Sequence, residues 1–249
     1  MEKYFGIPYE FDKSVVYETI DHIIQSGDKG YVCVADGVTL SMSQNYLLLK
    51  KVLDEADIVT CDSGWVPLFV RWIYGIQRKQ LSGSELFSTI LHKKKYKMMF
   101  LGTSNTILKP LRENISKIDS KILDMQFTAL PFRPVEEFDY KGIATIINEE
   151  NPDIVWVALG MPKQEIFMYH LRQYLNRGVC VGVGAAFKFF SGLSGHHRAP
   201  QWMIKYKIEW VYRIFSEPEK QIGRCWLIVK TVPGLLYREY KIKRDRKDV

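Results

Sequence analysis

The chain has 249 residues, 47% of them hydrophobic and 25% charged, with a formal net charge of +7. This is the make-up of an ordinary globular protein with a sizeable core, in one large domain or two small ones. No apolar run is long enough to span a bilayer. The opening Met1-Glu2-Lys3-Tyr4-Phe5 lacks the apolar stretch of a leader peptide, so a cytoplasmic location is expected. Cys33, Cys61, Cys180 and Cys225 are far apart, and the first three fall in predicted strands. They read as reduced, buried thiols, and the pair His196-His197 lacks metal-ligand spacing.

Strand-like runs alternate with helix-like ones. Gly30–Ala35 is the first predicted strand, followed by a helix over Ser41–Glu55 with Leu47, Leu48, Leu49, Val52 and Leu53 on its apolar face. Ile58–Cys61 is a second strand, and Pro67–Tyr74 a helix. Tyr96–Leu101 is a third, ending in Gly102-Thr103-Ser104-Asn105 and a helix to about Ile118. Met125–Ala129 is a fourth strand and Asp139–Glu149 a helix. Ile154–Leu159 is a central strand, ending in Gly160-Met161-Pro162-Lys163-Gln164-Glu165 and a helix that carries Phe167, Met168 and Leu171. Val179–Val183 is the last strand. Helices follow over Gln201–Phe215 and Lys220–Thr231, separated by Glu217-Pro218. The order predicts an α/β fold: a Rossmann-like, mostly parallel sheet with helices on both faces, over residues 1–200. A helical, basic appendage takes residues 201–249.

Candidate chemistry sits at the strand ends. Asp62 closes the second strand and opens Asp62-Ser63-Gly64-Trp65-Val66-Pro67. An acid at the carboxyl end of a parallel strand lies where open α/β sheets bind ligands. Asp36 ends the first strand in the same way. Either acid also suits the cap of the next helix. Gly102, Gly160 and Gly184 each end a strand just before a helix, and helix N-termini bind phosphate. Gly102, Thr103, Gly160, Lys163, Gly184 and Lys188 are therefore candidates for binding a nucleotide diphosphate. Gln164 can both donate to and accept from a sugar, whereas Glu165 is read as an acid favoured by the helix dipole. Gly182-Val183-Gly184 opens like a dinucleotide fingerprint, but Phe187 stands where the third glycine belongs; close helix–strand packing explains it equally. No Asp-X-Asp occurs, so no metal cofactor is expected. Arg198, Arg213 and Arg224 join Lys188 as cations for a diphosphate or acceptor, and each also reads as a surface charge.

Residues 220–249 hold nine bases against three acids, so most of the net charge lies in the tail. Trp226, Leu227, Ile228, Val229, Leu235, Leu236, Tyr237 and Tyr240 are interleaved with the bases. The combination suits an anionic membrane surface. Deletion of residues 233–249 is expected to leave a folded protein that binds such surfaces less well.

Taken together, the motifs resemble the WecB/TagA/CpsF family, glycosyltransferase family 26. The carrying residues are Asp62-Ser63-Gly64-Trp65, Leu81-Ser82-Gly83-Ser84-Glu85-Leu86, Gly160-Met161-Pro162-Lys163-Gln164-Glu165, Val181-Gly182-Val183-Gly184-Ala185-Ala186-Phe187, Arg198-Ala199-Pro200 and Glu209-Trp210-Val211-Tyr212-Arg213 with Glu217-Pro218. The resemblance implies an inverting transferase that moves a sugar from a UDP-sugar to a polyprenyl-diphosphate-linked sugar at the cytoplasmic membrane face, in the synthesis of cell-surface polysaccharides. The family's catalytic-base aspartate matches Asp62, and its active-site glutamine matches Gln164. Departures are Ser63 for a glycine, Asp36 for an asparagine, Gln80 for an arginine, Ser84-Glu85 for Thr-Asp and Lys188 for an aspartate. They fall where donor and acceptor sugars would bind. The match therefore carries the reaction class and not an N-acetylmannosamine specificity.

In this reading the acceptor hydroxyl loses its proton to a carboxylate as the glycosidic bond forms. Asp62 is the candidate base; the alternative gives that role to Asp36 and leaves Asp62 to orient a sugar hydroxyl. The expected partners are a UDP-sugar, the lipid-linked acceptor and an anionic membrane surface on the inner face of the plasma membrane. No nucleic acid is expected, and a homo-oligomer is compatible. Two rival classes are a nucleotide-binding oxidoreductase using the Gly-X-Gly turn and a nucleic-acid binder using the basic tail. The first lacks the third glycine and a ribose-binding acid; the second leaves the glycine loops unexplained.

Overall fold

The computed structural model describes residues 3–193, 200, 203, 206, 209–216 and 218–247. Seven parallel strands form one sheet: β1 (Tyr9–Glu10), β2 (Lys29–Ala35), β3 (Ile58–Cys61), β4 (Met98–Gly102), β5 (Phe127–Thr128), β6 (Ile154–Ala158) and β7 (Gly178–Gly182). Their order is β1-β3-β2-β7-β6-β4-β5. The inner strands are apolar on both faces, as in Ile154-Val155-Trp156-Val157, where all four side chains are fully buried. The helices are α1 (Lys13–Ser26), α2 (Gly37–Ser43), α3 (Leu47–Asp54), α4 (Val66–Tyr74), α5 (Gly83–Lys93), α6 (Asn105–Ile115), α7 (Tyr140–Glu150), α8 (Lys163–Arg172), α9 (Ala186–Phe190), α10 (Glu209–Ser216) and α11 (Pro218–Lys247).

The helices cover both faces of the sheet. One face packs Tyr31, Cys33, Val59, Val155 and Cys180 against residues of α2, α3, α4, α7 and α8. The other packs Val32, Val34, Phe100, Trp156 and Val181 against α1, α5, α6 and α9. Between β2 and β7 the order of the chain reverses: β2 leads on to β3 on one side, while β7, β6, β4 and β5 lie on the other. This is the topological switch point, where the carboxyl ends of neighbouring strands leave a crevice.

Three expectations change. The single helix over Ser41–Glu55 is two, α2 and α3, because Asp36 starts a helix directly at Gly37 and the chain turns again before Leu47. The second C-terminal helix does not stop at Thr231. It runs through Pro233 and Gly234 to Lys247, held by packing against the domain. Ile228 lies against Gly37, Leu235 is part of the buried core, and buried Glu239 accepts a 2.8 Å hydrogen bond from Tyr74 Oη. Lys243 Nζ donates to the Ile73 carbonyl. The residues proposed for deletion are thus docked on α2 and α4.

The third change is that α1 and α5 were not foreseen, although their signals are present. Asp12 caps α1, Val16, Ile20 and Ile23 supply its buried stripe, and Gly27 ends it in the left-handed conformation. Ser82 caps α5 by accepting from the Glu85 N–H at 3.2 Å, the first half of a capping box.

Candidate active site

Asp36 and Asp62 leave neighbouring strands at the same level, because Ala35 and Cys61 are paired in register across β2 and β3. Their environments differ. Asp36 Oδ1 accepts from the Val38 and Thr39 N–H groups at 2.9 and 2.8 Å and from Thr39 Oγ1 at 3.0 Å, so it caps α2. Its Oδ2 takes a 2.7 Å ion pair from Arg224 on α11. Asp62 is half-buried, and its N–H donates to the Ala35 carbonyl at 3.0 Å, which stitches the two strand ends together. The N–H groups at the entrance of α4, those of Trp65 and Val66, are taken by Ser63 Oγ at 3.3 and 3.4 Å.

Across the switch point, Gln164 is almost fully buried at the start of α8. Its Oε1 accepts from the Gly184 N–H at 3.1 Å, and its Nε2 donates to Glu165 Oε1 at 2.8 Å. Gly182 makes this approach feasible: a Cβ there would come within 2.9 Å of Gln164 Nε2 and of Met168 Cε. The Gly-Val-Gly turn therefore serves close helix–strand packing, and Phe187 is a core residue of the opposite face. The amide of Gly184, considered for a phosphate, is occupied by Gln164, and α9 beyond it has only five residues.

Gly102, Gly160 and Gly184 all have positive φ, at 109°, 77° and 49°. The need is absolute at Gly102, where a Cβ would lie 2.6 Å from the Ala158 carbonyl oxygen. Thr103 follows it, also at positive φ. Lys163 opens α8 with its ammonium 4.5 Å from the ring centroid of Phe132, a fully exposed aromatic beyond β5 that the sequence did not single out. Lys188 lies half-buried on α9. Arg213 belongs to α10, but its side chain, like all of Arg198 and the His196-His197 pair, falls outside the described residues. Arg224 faces Asp36 from α11. No group of three or more His, Cys, Asp or Glu able to hold a metal ion occurs among the described residues.

Glu165 is the residue that sequence reasoning undervalued. It has no surface exposure, and its Oε2 has no hydrogen-bond partner among the described residues. Burial pushes its carboxyl up to about 7; the hydrogen bond from Gln164 and the nearby Arg224 pull it down, while Asp36 adds to the rise. Tyr9, whose buried hydroxyl also lacks a hydrogen-bond partner among the described residues, has its phenol raised by burial and then by Cys61 and Asp36. A carboxylate at each of two adjacent strand ends, an amide clamped across the switch point and glycine turns lie along the same sheet edge, and a carboxylate there has the chemistry to deprotonate a hydroxyl.

An N-acetylglucosaminyldiphosphoundecaprenol N-acetyl-beta-D-mannosaminyltransferase of Bacillus subtilis (strain 168) is 28% identical over 199 residues, 79% of this chain and 73% of the relative. The protein so named in Bacillus spizizenii is 30% identical over 193 residues, 76% of this chain and 72% of the relative. That of Staphylococcus aureus (strain MW2) is 22% identical over 96% of this chain and 92% of its own. The sequence profile described as "Glycosyl transferase WecG/TagA/CpsF family" matches residues 3–248. Matched over nearly its whole length, the chain belongs to the WecG/TagA/CpsF family and is a glycosyltransferase.

Proposed function

We propose that the protein moves a sugar of the N-acetylhexosamine type from a UDP-sugar to a polyprenyl-diphosphate-linked sugar, with inversion at the anomeric carbon, in the synthesis of a cell-surface polysaccharide. The observation that carries this reading is the half-buried Asp62 at a strand end beside the switch point, in a chain whose relatives are named for a transfer to N-acetylglucosaminyldiphosphoundecaprenol. The reaction is a single displacement. Asp62 accepts the proton of the acceptor hydroxyl as its oxygen bonds to the anomeric carbon, and the UDP leaving group departs with the electron pair of the broken bond. Asp36 caps α2 through two backbone N–H groups and pairs with Arg224, a structural role; Asp62 is taken as the base from its strand-end position and its match to the family's catalytic aspartate. Lys163 and Lys188, beside the strand-end glycines, supply positive charge for the diphosphate.

The substrate lipid calls for a membrane-facing surface, and we assign that role to α11. Ile222, Trp226, Val229, Tyr237 and Tyr240 recur at spacings of three and four, or their multiples, and all are exposed. Lys230, Arg238, Lys241 and Arg244 flank them. Trp72 of neighbouring α4 is 76% exposed. Among the described residues no helix is long and apolar enough to cross a membrane, so α11 lies along an anionic leaflet in this reading, with aromatic rings in the headgroup boundary and bases on the lipid phosphates.

A panel of UDP-sugars incubated with a lipid-diphosphate-N-acetylglucosamine analogue, with and without excess chelator and read by mass spectrometry, tests the proposal. The expected product is the acceptor extended by one sugar in both arms. Hydrolysis of donor without extension of the acceptor refutes it.

A further inference from the structure

Glu165 is a buried carboxyl for which the displacement described above has no use. A first-turn acid gains from the helix dipole while exposed, so that contribution does not account for an acid with no surface exposure and one oxygen without a hydrogen-bond partner among the described residues. Burial of such a group costs stability, and the hydrogen bond it accepts from Gln164 shows what the cost supports. An amide side chain can be seated in two ways of equal shape, with nitrogen and oxygen exchanged. The Gly184 N–H requires the oxygen of Gln164 at one end, and the Glu165 carboxylate requires the nitrogen at the other. Only one seating satisfies both. It commits the Gln164 oxygen to the strand end and leaves one of the two Nε2 hydrogens without a partner among the described residues.

We propose that Glu165 is a positioning residue of the transferase: it fixes the amide of Gln164 so that Gln164 meets the substrate as a hydrogen-bond donor. The charged groups that face Glu165 are Asp36 at the end of β2 and Arg224 of α11, with the Cys33 thiol on β2 also near. Asp36 and Arg224 are paired with each other at 2.7 Å, so Glu165 is left to act on its immediate neighbour, Gln164. The inference rests on Gln164 being an active-site residue.

The test is steady-state kinetics of Gln164→Ala, Glu165→Met, Glu165→Gln and the Gln164→Ala/Glu165→Met double variant with one donor and one acceptor analogue, each checked for folding by circular dichroism. Loss of orientation should lower kcat of Glu165→Met by about 10- to 100-fold, with the donor KM within about 3-fold. Glu165→Gln still offers an oxygen to Gln164 and should keep kcat within about 3-fold. The double variant should be no slower than Gln164→Ala, because Glu165 acts through that side chain. A slow Gln164→Ala beside a Glu165→Met of undiminished kcat overturns the inference and leaves the site intact. Additive losses overturn it as well. Undiminished turnover in Gln164→Ala removes the reading of the site and the inference with it. If Glu165→Met does not fold, the Gln variant decides: a kcat as low as that of Gln164→Ala shows that hydrogen-bond geometry is not what Glu165 supplies.

Discussion

Arg224 reaches Asp36 across 188 residues of chain and meets its carboxylate at 2.7 Å. The contact joins the C-terminal helix to the strand end beside Asp62. Asp36 thereby caps a helix with one oxygen and anchors another with the second.

That double use predicts non-additive stability. Asp36→Ala loses a cap and an ion pair and should cost about 1–2 kcal/mol, and Arg224→Met should cost less. A double-mutant cycle by urea unfolding should give a coupling of about 1 kcal/mol. A coupling near zero would show that the ion pair does not help to hold α11.

Turnover should depend on the Asp62 charge. Asp62→Asn keeps the shape of the side chain and removes its basicity, so kcat should fall by about 10²–10⁴-fold while UDP affinity stays nearly constant. Wild-type turnover in this variant would falsify the assignment.

Glu165 makes stability fall as pH rises. Its folded value, about 7, lies above the roughly 4.3 of an unfolded glutamate. Between these values the folded state holds a proton that the unfolded state has released. The associated stability is complete below about pH 4, declines as pH rises and is gone above about pH 7, a change of roughly 4 kcal/mol for a fully buried group. Glu165→Gln does not titrate, so its melting temperature relative to wild type should climb from pH 4.5 to pH 8. A difference independent of pH would exclude the ionisation.

Membrane binding should be separable from folding. Because Leu235 and Glu239 are buried, removal of residues 233–249 is now expected to lower the melting temperature. Trp226→Ser, Tyr237→Ser and Tyr240→Ser together alter exposed rings only. They should reduce co-sedimentation with anionic liposomes, leave the melting temperature within about 2 °C and leave a binding remnant that high salt abolishes. Undiminished co-sedimentation at low salt would rule out the aromatic stripe as the docking face.

The inner strands were legible because each is a short apolar run that ends at or near a glycine or an acid. Ile58–Cys61 and Ile154–Ala158 needed no tertiary information beyond that. Residues 9 and 10 were not, since a two-residue edge strand has no period to read; pairing of Tyr9 with Val59 creates it. The helix through Pro233 reads locally as a break, and it persists because Ile228, Leu235 and Glu239 are docked on both sides of the proline.

For the site, the residues of the two strand ends and the glutamine loop were in view from the sequence, because strand-end acids and glycine turns announce themselves by local pattern. Their pairings were not. Only the folded sheet brings β2 beside β7, and with it Glu165 and Arg224 within electrostatic reach of Asp36. A carboxyl in a first helical turn looks the same in sequence whether water or protein surrounds it. Burial, a property of the whole packed fold, decided that Glu165 loses its solvent and takes Gln164 as its partner.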